Sequence, residues 1–227
     1  GIAVGGPFEH LSPTSWKRII DINIWGMINV ISATIPKMLE QGFGHVIQVA
    51  SIAGAVGIGG LVPYSTTKFA NSGFCEALYG EYHHRGINVS VVCPFPIKTG
   101  LIETVGIGIP PQLLEGFDAE TIKEGIQKGK EYYWEKFCSK SHLFNGFCGG
   151  WEVDKAVKNY LKQISKKRLY IFESKYGRLV QFIRGASRGI FNRVVGMFGK
   201  RHVKLLDETF DIAVSYGKNR SFRKYQE

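Results

Sequence analysis

The chain has 227 residues, of which 44% are hydrophobic and 21% are charged, the composition of an ordinary globular protein with a sizeable core. No run of about 18 unbroken apolar residues occurs, and no cationic segment precedes an apolar one, so neither a spanning helix nor a signal peptide is expected. The formal net charge of +10 is concentrated in residues 155–227, which hold 18 of the 29 Lys and Arg but only 5 of the 19 Asp and Glu.

The first half of the chain alternates strand-like and helix-like segments. Ser12 is a good N-cap, Pro13 suits a first helical position, and Gly42 is a helix stop signal, which together predict one long helix. The predicted elements are, in order, a strand end at 1–4, a helix at 13–41, a strand at 45–50, a helix at 64–85 and a strand at 87–93.

The second half continues this pattern and then changes character. Its predicted elements are a Gly- and Pro-rich loop at 100–118, an aromatic-rich helix around 131–137, a helix at 151–164 and a strand at 168–174. Alternating strands and helices are typical of a parallel sheet wrapped by helices, so the predicted fold is α/β and doubly wound. Residues 1–174 would form this domain, and residues 175–227 a basic, amphipathic helical extension.

The cysteines at positions 75, 93, 138 and 148 show no metal-binding spacing. We expect free, buried thiols rather than a zinc site or a disulfide framework, which is typical of a reducing compartment. The predicted location is therefore cytoplasmic.

Residues 51–68, SIAGAVGIGGLVPYSTTK, admit two functions. Their glycines lie between a strand and a helix, as in a dinucleotide fingerprint. However, residues 61–63 separate them from the helix, and no acidic residue appears about 20 positions on after a second strand. The alternative is a proton-transfer site. Tyr64 and Lys68 lie one helical turn apart, and a nearby ammonium favours the phenolate form that acid–base chemistry at neutral pH needs.

Ser51 precedes this pair at the carboxyl end of a predicted strand, where open α/β sheets bind ligands. Ser51 with Tyr64-x-x-x-Lys68 resembles the catalytic signature of the classical short-chain dehydrogenase/reductases. DINIWG (21–26) is similar to the family's N-x-x-G segment, and CPFPIKTG (93–100) to its P-G-x-x-x-T segment. Gly1 resembles the last residue of an N-N-A-G motif.

The resemblance spans residues 1 to about 174 and implies a Rossmann-like fold with NAD or NADP as the cofactor. Tyr64 would be the general acid/base, and Ser51 would orient the substrate oxygen. Lys68 would lower the pKa of Tyr64 and bind the nicotinamide ribose, while Asn23 would support a water relay. The implied cofactor-binding residues are Gly1, Tyr64, Lys68, Pro94, Ile97 and Thr99, and no metal site is implied.

The sequence departs from the family pattern at two points. Phe95 stands where the family usually has Gly, and the family's glycine-rich first half is absent. The chain also opens without Met. We therefore expect a fragment of an NAD(P)-dependent oxidoreductase that is inactive by itself.

Aromatic residues cluster where the family places its substrate lid, at about 100–150. They either cover the protein's own core or line the pocket, in which case they favour a bulky apolar alcohol or ketone such as a steroid, a retinoid or an acyl chain. The cluster comprises Tyr132, Tyr133, Trp134, Phe137, Phe144, Phe147 and Trp151.

The basic extension admits several partners. It could pack on the enzyme body, pack on a second copy in a homo-oligomer, or lie on an anionic membrane surface. Nucleic acid is disfavoured because no recognition motif is present. RGASRGIF (184–191) is similar to a displaced glycine fingerprint, but Phe191 would block the approach of a pyrophosphate. The alternative to an enzyme is a non-catalytic binding or scaffold protein that acts through this tail.

Overall fold

The computed structural model describes residues 1–97, 101, 105–109, 114–139 and 152–224. Its strands are β1 (Val4–Gly5), β2 (Gly44–Val49), β3 (Ile87–Val92), β4 (Gly106–Ile107) and β5 (Tyr170–Ile171). Its helices are α1 (Pro13–Ile20), α2 (Gly26–Gln41), α3 (Val62–Tyr82), α4 (Ala119–Ser139), α5 (Val153–Ile164), α6 (Lys175–Ala186) and α7 (Arg188–Lys224).

All strand pairs in the described chain are parallel, as the alternation predicts. The main sheet has the order β2–β3–β5, with Gly44 opposite Ile87 and Val91 opposite Tyr170. A separate two-stranded sheet joins β1 to β4. The predicted α/β class with a parallel sheet is confirmed.

The ends of the first long helix lie where the sequence places them. Ser12 is the N-cap, and its Oγ accepts a hydrogen bond from the Ser15 amide at 3.1 Å. Gly42 ends α2 in the left-handed region, with φ of 75°. The interior differs from the prediction, because residues Asp21–Trp25 form a π-helical segment between α1 and α2.

Two strand predictions need correction. The first strand lies at Val4–Gly5 and not at residues 1–4, because only these two residues align with β4. The predicted strand at 168–174 is reduced to Tyr170–Ile171, because only these two residues pair with β3, opposite Val91 and Val92. Neither change alters the topology.

The main core lies between the sheet and helices α2 and α3. It includes Ile31, Ile35, Cys75, Val89 and Phe172. Cys75 and Cys93 are free and fully buried, as predicted, and burial raises the pKa of each thiol to about 12. The side chains of Cys138 and Cys148 lie outside the described part of the structure.

The helical run Pro13–Gln41 is long and apolar enough to cross a membrane by length and composition alone. The sequence analysis did not anticipate this, because the run contains no unbroken apolar stretch. In this fold α2 directs Met27, Ile31 and Ile35 into the core. Other apolar side chains of the run, Ile22, Trp25 and Val30, are exposed.

Glycines allow helix α7 to approach two segments closely. One is the loop after β2, and the other is helix α4. Gly59 faces the backbone of Gly199, and a Cβ at Gly60 would collide with Leu206. On α4, a Cβ at Gly129 would lie 2.8 Å from the Thr209 carbonyl oxygen. The C-terminal helix is therefore closely packed on the body of the protein.

Gly54 likewise allows the loop after β2 to lie close to helix α3. An added Cβ would lie 2.5 Å from the Lys68 carbonyl oxygen and 2.7 Å from Ser72 Oγ. We expect Gly54→Ala to lower the free energy of unfolding by about 1 to 3 kcal/mol, because helix α3 must move away. Urea denaturation of both proteins measures the change.

Gly57→Ala is the matched control, since a Cβ at Gly57 has no atom within 4 Å. We expect it to change the free energy of unfolding by less than about 0.5 kcal/mol. Equal effects of the two substitutions would mean that helix α3 does not depend on a bare backbone at Gly54.

Candidate active site

A cavity of about 490 Å³ lies at the carboxyl ends of β2 and β3. Ser51, Tyr64 and Lys68 all line it, so the fold brings together three of the predicted catalytic residues. The rest of its wall is mostly apolar and includes Ile52, Leu61, Phe95, Val105 and Leu206. Proton-transfer groups in an apolar enclosure can act on a substrate sheltered from water.

Ser51 occupies the turn between β2 and a short 3₁₀ helix. Its Oγ accepts a hydrogen bond from the Ala53 amide at 3.1 Å. This bond uses one lone pair of the hydroxyl and leaves its O–H group able to donate. Ile52 links this turn to the segment that follows β3, because its amide donates to the Pro94 carbonyl at 2.8 Å.

Lys68 lies on the buried side of α3 and is only 7% exposed. Its Nζ donates to the Val49 carbonyl at 3.3 Å and lies 5.5 Å from the centre of the Tyr64 ring. Burial lowers the pKa of Lys68 to about 8. The ammonium and the phenol therefore share a face, as their spacing predicts.

The pKa of Tyr64 differs from the expectation. It is raised above its ordinary value, because burial disfavours the phenolate more than the neighbouring Ser51 side chain stabilises it. Lys68 does not reverse this effect in the geometry described here.

Asn23 lies in the π segment between α1 and α2 and is 4% exposed. Its Oδ1 accepts from the Ile2 amide at 2.8 Å, and its Nδ2 donates to the Ile2 carbonyl at 2.9 Å and to Thr67 Oγ1 at 3.1 Å. Asn23 thereby joins the N-terminal segment to α3 one residue before Lys68. Single-turn π segments recur at functional sites.

The predicted nicotinamide site is described only in part. Gly1, Pro94 and Ile97 line the same cavity as Tyr64 and Lys68. Thr99 lies outside the described residues. At Gly1 an added Cβ would lie 3.0 Å from Asn23 Oδ1 and 3.7 Å from Lys68 Nζ, so a side chain there would require Asn23 to shift by a few tenths of an ångström.

Phe95 shows how the chain accommodates its departure from the family's glycine. The ring is buried in the main core, and its amide donates to Glu173 Oε1 at 2.5 Å. The other oxygen of Glu173 accepts from the Tyr160 hydroxyl at 2.7 Å. Burial raises the pKa of Glu173, and these two hydrogen bonds oppose the rise.

Sequence reasoning missed Glu173 because its partners lie far from it in the chain. It also missed the contribution of α7, since His202, Leu206 and Thr209 line the cavity. Of the predicted aromatic cluster, Tyr133 lines the cavity. Phe144, Phe147 and Trp151 lie outside the described residues, and the side chains of Trp134 and Phe137 are likewise not described.

A model of the short chain dehydrogenase family matches residues 1–107. Residues 1–107 are therefore similar to the short-chain dehydrogenase family. Epidermal retinol dehydrogenase 2 of Homo sapiens is 33% identical over 140 residues, which are 59% of this chain and 45% of that protein. The 17-beta-hydroxysteroid dehydrogenase type 1 of Homo sapiens is 30% identical over 127 residues, 56% of this chain and 38% of that protein.

Solved structures of short-chain dehydrogenases share the fold. One from Burkholderia cenocepacia, in complex with NADP, has a TM-score of 0.60 at 16% identity and covers 86% of this chain and 65% of its own. The Rossmann-like fold is therefore confirmed. The chain spans about half the length of the curated short-chain dehydrogenases it matches.

The environment of Lys68 predicts its titration. We expect one lysine of the ¹³C-labelled chain to titrate near pH 8 in an NMR experiment, because burial disfavours its charged form. Lys68→Met removes a lysine signal and thereby assigns it. Titration of the Lys68 signal at the ordinary lysine value would contradict the burial described here.

Proposed function

We propose that the protein carrying this chain is an NAD(P)-dependent oxidoreductase that interconverts a hydrophobic alcohol and its ketone or aldehyde. The observation that supports this most directly is the placement of Ser51, Tyr64 and Lys68 in one apolar cavity. Residues 1–174 would carry the reaction, with a lid at about 100–150. Residues 175–227 would be an extension that also closes the pocket.

In the oxidation, the proton of the substrate hydroxyl passes to the Tyr64 phenolate oxygen, and the carbon becomes a carbonyl. Ser51 donates its O–H to the substrate oxygen and holds it beside Tyr64. The Lys68 ammonium offsets the charge of the phenolate, and reduction runs the same proton transfer in reverse. A bound nicotinamide dinucleotide would accept or supply the hydride.

The residues present fit such a cofactor. The bare backbone at Gly1 leaves space beside Asn23 and Lys68, and the Lys68 ammonium can donate to ribose hydroxyls. Pro94 and Ile97 offer an apolar surface in the same cavity. Among the residues that the structure describes, none is a candidate for distinguishing NAD from NADP.

The proposed substrate class follows from the apolar wall of the cavity. A volume of about 490 Å³ is in the usual range for ligand pockets and suits a bulky apolar molecule. The names of the two relatives, a retinol dehydrogenase and a hydroxysteroid dehydrogenase, agree with this class.

Tyr64→Phe tests the mechanism. In the whole protein we expect turnover of an apolar alcohol to fall at least about 100-fold, because phenylalanine cannot exchange a proton. Circular dichroism and cofactor titration should be unchanged. Tyr79→Phe, on the same helix and stacked on His83, is the control and should retain activity.

Full turnover by Tyr64→Phe would contradict the proton-transfer role. Absence of turnover in the wild-type whole protein, with any cofactor and any apolar alcohol, would instead favour the non-catalytic scaffold alternative.

We also propose that helices α6 and α7 contact an anionic membrane surface. Residues 175–206 contain eight Lys and Arg and no Asp or Glu. Phe182 and Ile190 are 71% and 54% exposed, so this cationic segment also exposes large apolar side chains. Such a surface suits the interface of an anionic bilayer.

Co-sedimentation with phosphatidylserine-containing vesicles tests this contact. We expect Phe182→Glu to reduce binding several-fold, because the substitution removes an apolar group and adds a repelled charge. Phe43→Glu is matched in exposure, at 69%, but lies outside the basic segment and should bind like wild type. Equal binding by all three proteins would contradict the proposal.

We also propose that the protein forms a homo-oligomer, in which the partner is a second copy of the same chain. Trp25 and Val30 expose large apolar side chains at the junction of the π segment and α2, which a second copy could cover.

A further inference from the structure

The proposed mechanism leaves one buried carboxylate beside the cavity without a role. Glu173 follows strand β5 and is 4% exposed. Burial of a carboxylate costs free energy unless hydrogen bonds satisfy its oxygens. The two bonds to these oxygens come from neutral donors, the Phe95 amide and the Tyr160 hydroxyl. The segments to which these donors belong show what the carboxylate holds together.

The segment that contains Phe95 has few backbone donors. Phe95 lies between Pro94 and Pro96, and proline has no N–H group. Of residues 94–96, Phe95 alone can therefore donate a backbone hydrogen bond, and it donates to Glu173 Oε1 at 2.5 Å. All three residues line the cavity. One hydrogen bond thus fixes the backbone of this part of the cavity wall.

Helix α5 holds Glu173 from the other side. Tyr160 donates its hydroxyl to Glu173 Oε2 at 2.7 Å, and Asn159 Nδ2 donates to the Glu173 carbonyl at 2.6 Å. Gln163 Nε2 donates to the carbonyl of the preceding residue, Phe172, at 2.6 Å. Both the side chain and the backbone of Glu173 are therefore fixed before it contacts the wall.

The wall segment also contacts the strand end that carries the predicted catalytic serine. The Pro94 carbonyl accepts from the amide of Ile52, the residue after Ser51, at 2.8 Å. A continuous series of hydrogen bonds therefore connects helix α5, Glu173, the wall segment and the turn at Ser51. Because a carboxylate is a stronger acceptor than a neutral oxygen, it suits the place where one bond must hold the segment.

We propose that Glu173 is a positioning residue that fixes the cavity wall at residues 94–96 through the Phe95 amide. This wall includes Pro94, one of the residues proposed to bind the nicotinamide cofactor. Without the carboxylate the segment would lose its anchor, and the cofactor would meet a wall that is no longer fixed in shape. The identity of this ligand rests on the proposed oxidoreductase function, whereas the anchoring of the segment does not.

Two substitutions in the whole protein test this role. Glu173→Leu offers no acceptor to the Phe95 amide, whereas in Glu173→Gln the amide oxygen can accept from Phe95 and the amide nitrogen can donate to the Tyr160 oxygen. NADH and NADPH are titrated by fluorescence. We expect the Kd of the dinucleotide that binds more tightly to rise at least about tenfold in Glu173→Leu and to stay within about threefold of wild type in Glu173→Gln.

Hydrogen exchange measures the anchor itself, without any ligand. In protein labelled with ¹⁵N-phenylalanine, we expect the Phe95 amide to exchange at least about tenfold faster in Glu173→Leu than in wild type, and Glu173→Gln to restore slow exchange. The rate is taken relative to the amide of Phe74, inside helix α3, because general loss of stability accelerates both.

Three further variants separate positioning from stability. Glu76→Leu removes another bond between a glutamate and a tyrosine, the one that Tyr170 donates at 2.5 Å, and should bind the dinucleotide like wild type. Ile35→Val destabilises the main core and should also leave the Kd unchanged. Tyr160→Phe removes one donor to the carboxylate and should raise the Kd about two- to fivefold, which keeps the test open if Glu173→Leu does not fold.

The outcomes distinguish failure of the anchor from failure of the proposed function. If wild type binds a dinucleotide but neither its Kd nor the relative exchange of the Phe95 amide changes in Glu173→Leu and Tyr160→Phe, the anchor is refuted and the function stands. An equal rise of the Kd in Ile35→Val would also refute it. If wild type binds neither dinucleotide, the proposed function fails, and faster exchange in Glu173→Leu that Glu173→Gln reverses still supports the anchor.

Discussion

The close approach of helix α3 to the turn after β2 is the constraint on which the site depends. Gly54 lies against the backbone of Lys68, and this contact lets the lysine ammonium reach the Val49 carbonyl at the end of β2. Tyr64 begins the same helix one turn earlier, so its ring is placed by the same packing. Asn23 also holds helix α3 in place, through its hydrogen bond to Thr67.

Three of the four glycines between Ser51 and Tyr64 serve packing. Gly54 admits helix α3, while Gly59 and Gly60 admit helix α7. This explains why a glycine-rich stretch after a strand need not cradle a phosphate. A dinucleotide loop needs glycines to expose backbone amides to a ligand, whereas these glycines bring backbone close to other protein segments.

Local signals in the sequence were sufficient for much of the fold. Ser12 and Gly42 bounded the first helical run, and the β-branched runs located β2 and β3, because caps and periodicity act within a few residues. The π segment around Asn23 could not be predicted, since it depends on the bonds that Asn23 makes with Ile2 and Thr67.

The same limit applies to the site. Ser51, Tyr64 and Lys68 could be proposed from the sequence because their spacing forms a recognisable motif, and they line one cavity. Glu173 and His202 could not, because Glu173 meets Phe95 across 78 residues and His202 meets Gly59 across 143. Contacts between residues so far apart in the sequence depend on the tertiary fold, and no local sequence pattern predicts them.

The position of α7 has a consequence for how this protein can diverge. The groups proposed to move the proton and the α7 residues that line the cavity are encoded in stretches separated by more than a hundred residues. Mutation or recombination in the C-terminal stretch can therefore change which molecules are accepted while the reaction itself is inherited intact. On the proposed function, two proteins with the same Ser, Tyr and Lys motif could therefore share a reaction and differ in substrate.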